Sequence, residues 1–239
     1  MPTPLSDDDL ASSMIEYPSA AGQILALFCR PKEGGPFPAL ILLHEWWGLD
    51  DHIKEVAHRL CRENYAVLAP DLFSSLGNPV THDPQTAAAL MDALKATVAL
   101  DELDATVAFL QTFKQVRFER IGVIGFSMGA TFALLLACRH RDVKAAVPFY
   151  GHVPDDRELP GLSAPVLYVW GNRDEVVTEE EVSRLKVHLE RRPGAGEVKI
   201  YPAGHSFFNN TRRDAHDPVS ARDAWKRVVG FFDHHLKAA

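Results

Sequence analysis

The sequence predicts an α/β fold with a mostly parallel central sheet flanked by helices on both faces. Short apolar segments of the strand type alternate with longer segments of helical periodicity along most of the 239 residues, and this alternation is typical of a parallel sheet. The apolar run at 39–43 is uninterrupted, as expected for a strand buried on both faces. No insertion is long enough for a large lid domain. We therefore expect a loose tail over residues 1–13 and one domain over residues 14–239.

The first elements are predicted to be strands at the edge of the sheet. Residues 14–17 and 24–29 are strand-like and flank turn residues at 19–22, which predicts an antiparallel pair. The buried strand 39–43 follows. Over 52–63, apolar residues recur every three or four positions, and this spacing predicts a helix.

The middle of the chain continues the alternation of strands and helices. Residues 65–69 read as a buried strand that a proline closes, and a loop follows it. The segment 85–113 is rich in alanine and leucine and predicts a helix, with Leu100 as the expected place of any break. Another strand is predicted at 121–124.

The last part of the chain is predicted to hold three more strands and two more helices. Strands are expected at 145–149, 166–170 and 197–201, where short apolar segments end in turn residues. The helix 178–191 begins with threonine and has glutamate three residues later, which predicts a capping box. An amphipathic helix over 218–236 closes the fold.

Composition excludes several classes of protein. The net charge of −7 argues against nucleic acid and anionic membrane surfaces as partners. No apolar run reaches transmembrane length, and the polar start lacks the pattern of a secretory signal. The three cysteines, Cys29, Cys61 and Cys138, have no paired spacing and are expected to be reduced thiols in a cytoplasmic protein. The sequence implies no metal or organic cofactor and makes no prediction of oligomeric state.

The stretch 125–129, Gly-Phe-Ser-Met-Gly, carries the strongest chemical signal. It lies between the strand 121–124 and a helical segment at 128–139, the context in which a G-x-S-x-G motif exposes its serine at a sharp turn. Glycines two residues before and after Ser127 remove the Cβ atoms that would collide in such a turn. The alternative is an ordinary tight turn in which the serine caps the helix.

Four predicted strand ends carry polar residues: Glu45, Ser127, Asp174 and His205. Ligands of such sheets bind beyond the carboxyl ends of the strands. A serine hydroxyl needs a base to become a nucleophile, and histidine with a carboxylate behind it supplies one. The chain order Ser, Asp, His is the order found in α/β-hydrolases.

Two of these assignments, His205 and Asp174, have rival residues in the sequence. His205 is one of eleven histidines, but it follows a strand and a glycine, whereas the others fit helix, cap or loop positions. Glu175 competes with Asp174, and the Gly-Asn-Arg-Asp sequence at the strand end favours Asp174. Asp71 also ends a strand but precedes the serine, so we expect it to hold a turn.

The sequence resembles the dienelactone hydrolase family of α/β-hydrolases over about residues 14–236. The stretches that carry the resemblance are 44–48, 65–73, 122–130, 171–177 and 201–207. The resemblance implies an α/β-hydrolase fold. It also implies Ser127 as nucleophile, His205 as base and Asp174 as the acid that orients it. The implied oxyanion donors are the backbone N–H groups of Trp46 and Met128, which also fits the general geometry of the motif.

The chain departs from the family in its nucleophile. The best-known members have cysteine where this chain has Ser127. The glutamate matching Glu45 is implied to help activate that thiol. Beside a serine, Glu45 has four alternatives: direct participation, shaping the pocket, binding a hydroxyl group, or pairing with an arginine. A zinc motif of the H-E-x-x-H type fails, because the residue at its last position is Gly48.

The chain also departs from the family in the arginines that hold a substrate carboxylate. The first arginine region here reads 87–90, Ala-Ala-Ala-Leu, and Asn209 lies near the second. Arg212 and Arg213 are the possible substitutes. A neutral ester or lactone is therefore at least as plausible as dienelactone. The aromatic residues Trp46, Trp47 and Phe208 could border its pocket or could be ordinary packing.

Three functions are compatible with this pattern. The leading hypothesis is hydrolysis of a small-molecule carboxylic ester or lactone through an acyl-enzyme on Ser127. The alternatives are a serine peptidase of the same fold and a small-molecule binding protein without turnover. Binding alone would not require serine, aspartate and histidine at three separate strand ends, so the complete set favours an enzyme.

Overall fold

A computed structural model describes residues 5–192 and 194–237. Eight strands form one mixed sheet in the order β1-β2-β4-β3-β5-β6-β7-β8. The strands are β1 Leu10–Ser19, β2 Gly22–Pro31, β3 Phe37–Leu43, β4 Ala66–Pro70, β5 Val116–Phe126, β6 Val143–Phe149, β7 Val166–Gly171 and β8 Gly196–Tyr201. β1 with β2 and β2 with β4 are antiparallel, whereas β3–β4, β6–β7 and β7–β8 are parallel. The predicted antiparallel edge is confirmed.

Six α-helices are present in the described part of the chain. They are α1 Asp51–Arg62, α2 Pro84–Ala93, α3 Ala96–Leu110, α4 Met128–Arg139, α5 Glu179–Glu190 and α6 Pro218–Phe232, which a π-helical turn at Asp233–Lys237 extends. The capping box predicted for α5 is confirmed, since Thr178 and Glu181 bond reciprocally. None of these helices combines the length and the apolar character needed to cross a membrane.

Several predicted boundaries are wrong, and β5 begins at Val116 rather than at residue 121. Strand β1 begins at Leu10 after a short 3-10 turn at Asp7–Asp9, so residues 10–13 belong to the sheet. They were predicted as tail because the acidic run at 7–9 precedes them and Ser12 and Ser13 are polar, which hides the backbone pairing with β2. The segment 85–113 is two helices that end and begin around Leu94 and Lys95, which both have extended backbone angles. Leu100, the expected break, lies inside α3.

The chain divides into two compact units, Met1–Gly122 and Val123–Ala239. The division falls within β5, and the single domain expected over residues 14–239 stays a prediction. In the first unit every residue of β3 and β4 is buried. Successive strand residues point to opposite faces, so both faces are covered there; α1 contacts β4, and α3 contacts β3. In the second unit α4, α5 and α6 pack on β6, β8 and β7.

Glu102 is a buried carboxyl group in the core of the first unit. It lies on α3, where it is 4% exposed. Within the described residues its Oε2 atom has no hydrogen-bond partner. Burial, and then the nearby charge of Asp71, raise the pKa of Glu102 to about 7. The folded state therefore holds a proton that the unfolded chain releases near its ordinary pKa of 4.5. As a result, stability falls as the pH rises from about 4.5 to 7.

Replacing Glu102 with glutamine is expected to stabilise the protein at pH 8 and to change little at pH 4.5. The amide stays neutral, so the cost of burying a charge disappears only where the wild-type carboxyl would ionise. A gain of about 2–4 °C in Tm at pH 8 would correspond to roughly 1 kcal/mol for a chain of this size. Thermal unfolding at several pH values measures it. The exposed residue Glu16 provides the control Glu16→Gln, and equal gains in both variants would contradict the prediction.

Candidate active site

Ser127 lies at the sharp turn between β5 and α4. Its backbone angles are φ +50° and ψ −116°, a region that non-glycine residues seldom occupy. A Cβ atom at Gly125 would collide with the carbonyl of Gly129, so the glycine before the serine is required by space. The predicted strand–serine–helix turn is therefore present.

Backbone hydrogen bonds hold this turn in place. The Ser127 N–H donates to the Phe149 carbonyl at the end of β6 over 3.0 Å. The Ser127 carbonyl accepts from the N–H groups of Ala130 and Thr131 over 2.9 and 3.2 Å, which starts α4. The Ser127 side chain makes no capping bond to the helix. The alternative of a simple helix-capping serine is therefore wrong, and the hydroxyl points elsewhere.

The second unit brings Ser127, His205 and Asp174 together. Ser127 Oγ lies 2.8 Å from His205 Nε2. His205 Nδ1 lies 2.9 Å from Asp174 Oδ2. Ser127 follows β5, Asp174 follows β7 and His205 follows β8, so three strand ends meet at this point.

The hydrogen bonds fix which imidazole nitrogen carries the proton. An ionised carboxylate only accepts, so His205 Nδ1 donates to Asp174 and Nε2 is left to accept from the serine hydroxyl. The Asp174 side chain is fully buried, and the His205 side chain is 21% exposed. The other carboxylate oxygen, Asp174 Oδ1, accepts from the N–H groups of Val176 and Val177 over 2.8 and 3.0 Å. The aspartate is thus held rigidly by its own loop.

Tyr150 is a neighbour of this group that the sequence analysis did not single out. It follows β6 directly and has φ +42°, and its ring centroid lies 5.0 Å from that of His205. The next residue, Gly151, is pressed so closely onto Ala130 and Thr131 that a Cβ would clash. The signal available in the sequence was position alone, since Tyr150 also stands at the carboxyl end of a strand.

The segment after Tyr150 is tied to α4, β7 and α5. The Tyr168 hydroxyl donates to the Gly151 carbonyl, and burial raises the pKa of Tyr168 well above its ordinary value, so this donor keeps its proton. The His152 N–H donates to Thr131 Oγ1 over 2.9 Å. His152 Nδ1 lies 3.0 Å from Glu181 Oε1. These contacts fix the backbone beside Ser127 and His205.

Glu45 and Trp46, two further predicted site residues, follow β3 in the first unit, and Asp71 follows β4. Glu45 is 2% exposed and Trp46 is partly exposed, with its ring 4.9 Å from that of Trp47. Their roles as accessory acid and oxyanion donor stay predictions. Asp71 Oδ1 accepts from the Phe73 N–H over 2.9 Å, so the expectation that it holds a turn is confirmed.

A buried histidine supports the same turn and was not singled out from the sequence. His44 Nδ1 donates to the Glu45 carbonyl over 2.5 Å. Its Nε2 accepts from the Leu72 N–H over 2.9 Å. The side chain is completely buried. His44 therefore ties the segment after β3 to the segment after β4.

Two of the three aromatic residues considered for a pocket border are packing residues. Phe208 is 3% and Trp47 4% exposed, and the Phe208 ring stacks on Phe126 at 5.3 Å. Asn209 is also buried, and its Oδ1 accepts from the Thr211 N–H over 3.0 Å. Arg212 lies 3.6 Å from Asp214.

No metal-binding cluster lies in residues 5–192 and 194–237. Within these ranges, histidine, cysteine, aspartate and glutamate side chains form no group of three or more arranged to hold a metal ion.

Comparison with known proteins assigns the chain to a family. The family model described as "Dienelactone hydrolase family" matches residues 24–236. "Protein usf" of Aquifex pyrophilus is 30% identical over 93% of this chain and 98% of its own length. A "Putative carboxymethylenebutenolidase" of Methylorubrum extorquens is also 30% identical, over 93% of this chain and 81% of its own.

Solved structures agree with this assignment. The crystal structure of a "Putative Dienelactone Hydrolase" from Klebsiella pneumoniae is 27% identical and superposes with a TM-score of 0.85, covering 93% of this chain and 98% of that one. The agreement extends from sequence to fold and covers both units. The chain belongs to the dienelactone hydrolase family and has the α/β-hydrolase fold.

Proposed function

We propose that this hydrolase cleaves carboxylic esters or lactones through an acyl-enzyme on Ser127. One observation carries the proposal: an unbroken hydrogen-bond path runs from Ser127 Oγ through the His205 ring to Asp174. Membership of the family adds support, as does the name carboxymethylenebutenolidase given to a relative that matches 93% of this chain.

The first half of the reaction uses His205 as a base. Ser127 Oγ attacks the carbonyl carbon while its proton moves to His205 Nε2, and the carbonyl oxygen becomes an oxyanion. Asp174 steadies the imidazolium through Nδ1. When the tetrahedral intermediate collapses, the bond to the leaving oxygen breaks, and His205 returns the proton to that oxygen. For a lactone the leaving alcohol stays attached to the acyl group.

The second half releases the acyl group to water. His205 Nε2 takes a proton from a water molecule, whose oxygen attacks the acyl carbon, and the proton then passes to Ser127 Oγ as the ester bond breaks. The products are the free enzyme and a carboxylic acid. A lactone substrate gives a hydroxy acid.

An oxyanion hole is proposed at the start of α4. Met128 is the first residue of this helix, so its N–H has no acceptor within the helix. The positive end of the helix dipole adds to the stabilisation of negative charge. The N–H of Trp46 is the second proposed donor, from the family resemblance, and Glu45 remains a proposed accessory residue.

Ser127→Ala is expected to lower kcat/KM for short-chain nitrophenyl esters by at least about 10³-fold, because the nucleophile is lost. The Tm should stay within a few degrees of wild type, because the Ser127 hydroxyl makes no capping bond. A fluorophosphonate probe should label wild type and not the variant. The exposed residue Ser13 provides the control Ser13→Ala. Labelling of the Ser127→Ala variant, or unchanged turnover, would refute the proposed nucleophile.

Asp174→Asn is expected to lower kcat by about 10⁴-fold with little loss of folding. The asparagine amide would donate to His205 Nδ1, which moves the ring proton to Nε2 and removes the lone pair that faces the serine. Steady-state kinetics measures the effect. Glu175→Gln is the matched control, because Glu175 is the exposed rival acid next to it; similar losses in both variants would reject the assignment.

Neutral esters and lactones are expected to be better substrates than analogues that carry a carboxylate. The two family positions for arginine correspond here to the Ala-rich segment 87–90 and to the region of Asn209, so no cation is expected there to bind the acid. A panel of paired neutral and acidic substrates compares kcat/KM directly. A preference of tenfold or more for the acidic member of most pairs would reverse the conclusion about substrate class.

A further inference from the structure

A second concave site lies in the second unit, apart from Ser127, His205 and Asp174. It is a cleft of about 550 Å³ between one face of α5 and the segment 156–160. Neither the triad residues nor Tyr150 line it. The proposed hydrolysis does not use this cleft. Its lining combines basic and apolar side chains and contains no member of the Ser127–His205–Asp174 group.

Helix α5 has a buried apolar face and a basic face that borders the cleft. Val182, Leu185 and Leu189 recur at three- and four-residue intervals and are buried. Arg184, His188 and Arg191 follow with the same kind of spacing and form part of the cleft wall. Residues three or four apart share one side of a helix, so these three basic side chains converge on the same space.

Two arginines hold the opposite wall in position. Arg184 Nη2 donates to the carbonyls of Val153 and Pro154 over 2.9 and 3.0 Å. Arg192 donates to the carbonyl of Leu162 and to that of Ser163 over 2.9 Å. The segment between these ties is thus fixed at both ends, and the space is formed before any ligand arrives.

Two buried nitrogens beside this space lack a hydrogen-bond partner. Among the described residues, Arg184 Nε and His188 Nε2 have no such partner. The nearest carboxylate to Arg184 Nε is Asp156 at 3.8 Å, which is beyond hydrogen-bonding distance. Buried polar atoms are nearly always satisfied in folded proteins. Arg184 Nε can only donate, and His188 Nε2 donates in one of the two tautomers of the ring, so one acceptor group would satisfy both.

The charge around the cleft also favours an anion. The Arg191 side chain has no hydrogen bond or ion pair with any of residues 5–192 and 194–237. Burial, and then the nearby positive charges of Arg192 and Arg191, lower the pKa of His188. Asp156 is the only acidic lining residue among those described, and its side chain is 83% exposed. Basic residues in the last turn also stabilise the negative end of the helix dipole. That interaction gives no hydrogen-bond partner to Arg184 Nε or His188 Nε2.

Apart from Ser183, the remaining lining is apolar. Leu159 and Pro160 come from the tied segment, and Val187 comes from α5 between the basic residues. Val187 is 46% exposed, so it offers apolar area to a bound molecule. A ligand that fills the cleft therefore needs a charged end and a short hydrocarbon part.

We propose that this cleft binds a small amphipathic anion, in which a carboxylate or phosphate group meets Arg184, His188 and Arg191 and a short hydrocarbon part lies on Leu159, Pro160 and Val187. The anion supplies the acceptors that the two buried nitrogens lack. The proposal does not depend on the chemistry of Ser127, because none of the residues involved belongs to the triad.

Calorimetric titration of the Ser127→Ala variant tests the proposal with hexanoate, hexyl phosphate and 1-hexanol as probes. Removing the serine prevents turnover. Either hexanoate or hexyl phosphate is expected to bind at least tenfold more tightly than 1-hexanol, and the comparison of the two anions distinguishes carboxylate from phosphate. Equal binding of the alcohol, or no binding of either anion, would overturn the proposal.

Variants locate the binding site. Adding Arg191→Gln or His188→Gln to Ser127→Ala is expected to weaken anion binding by about tenfold, as for loss of a charge-assisted hydrogen bond. Lys186→Gln is the matched control, because Lys186 lies on the same helix outside the cleft. Unchanged affinity in both cleft variants, or an equal loss in the control, would place the anion elsewhere and reject the site. Arg191 is exposed, so its replacement tests binding without disturbing the core.

Discussion

The backbone of Ser127 is the constraint on which the arrangement of the second unit depends. A non-glycine residue at φ +50° costs about 1–3 kcal/mol and persists only where its surroundings leave no alternative. Here the N–H is held by the end of β6 and the carbonyl begins α4. The glycine at 125 supplies the space for the turn. The strain is what turns the hydroxyl away from the helix and toward His205.

Strain is repeated around the same site. Tyr150 and Ser206 also have positive φ values, of +42° and +58°, and one stands against the His205 ring while the other follows it in the chain. Positions of this kind tend to gather where a fold holds catalytic groups in place. The contacts of Gly151 and His152 with α4 and β7 bind this strained segment to the rigid part of the unit. The segment after β6 therefore supports the arrangement of Ser127, His205 and Asp174, in addition to the loops that carry these residues.

The two sites differ in whether their buried polar groups have hydrogen-bond partners. The Asp174 side chain is fully buried, yet both carboxylate oxygens accept hydrogen bonds, from His205 and from two backbone N–H groups. This acid is satisfied without a ligand, which suits a group that must hold another side chain still. Arg184 Nε and His188 Nε2 are buried and unsatisfied, which suits a place that a ligand completes. The same physical rule thus leads to two different assignments in one unit.

The sequence by itself determined the order of strands and helices along the chain and the identity of the three residues that meet. Apolar periodicity and turn residues are local signals, so α4 was predicted with the bounds that the structure has, and the chain order of serine, aspartate and histidine pointed to their meeting. The acidic run at 7–9 hid the start of β1, and nothing local marked the break at Leu94.

Only the tertiary structure decided which side chains from distant positions touch. The tilted contact of the Tyr150 ring with His205 and the burial of Phe208 depend on packing between elements that are far apart in the sequence. So does the cleft beside α5, because Arg184 and Arg192 tie down a segment about thirty residues before them. Local patterns report the conformation of neighbours in the chain, whereas distances across the fold follow from how whole elements pack.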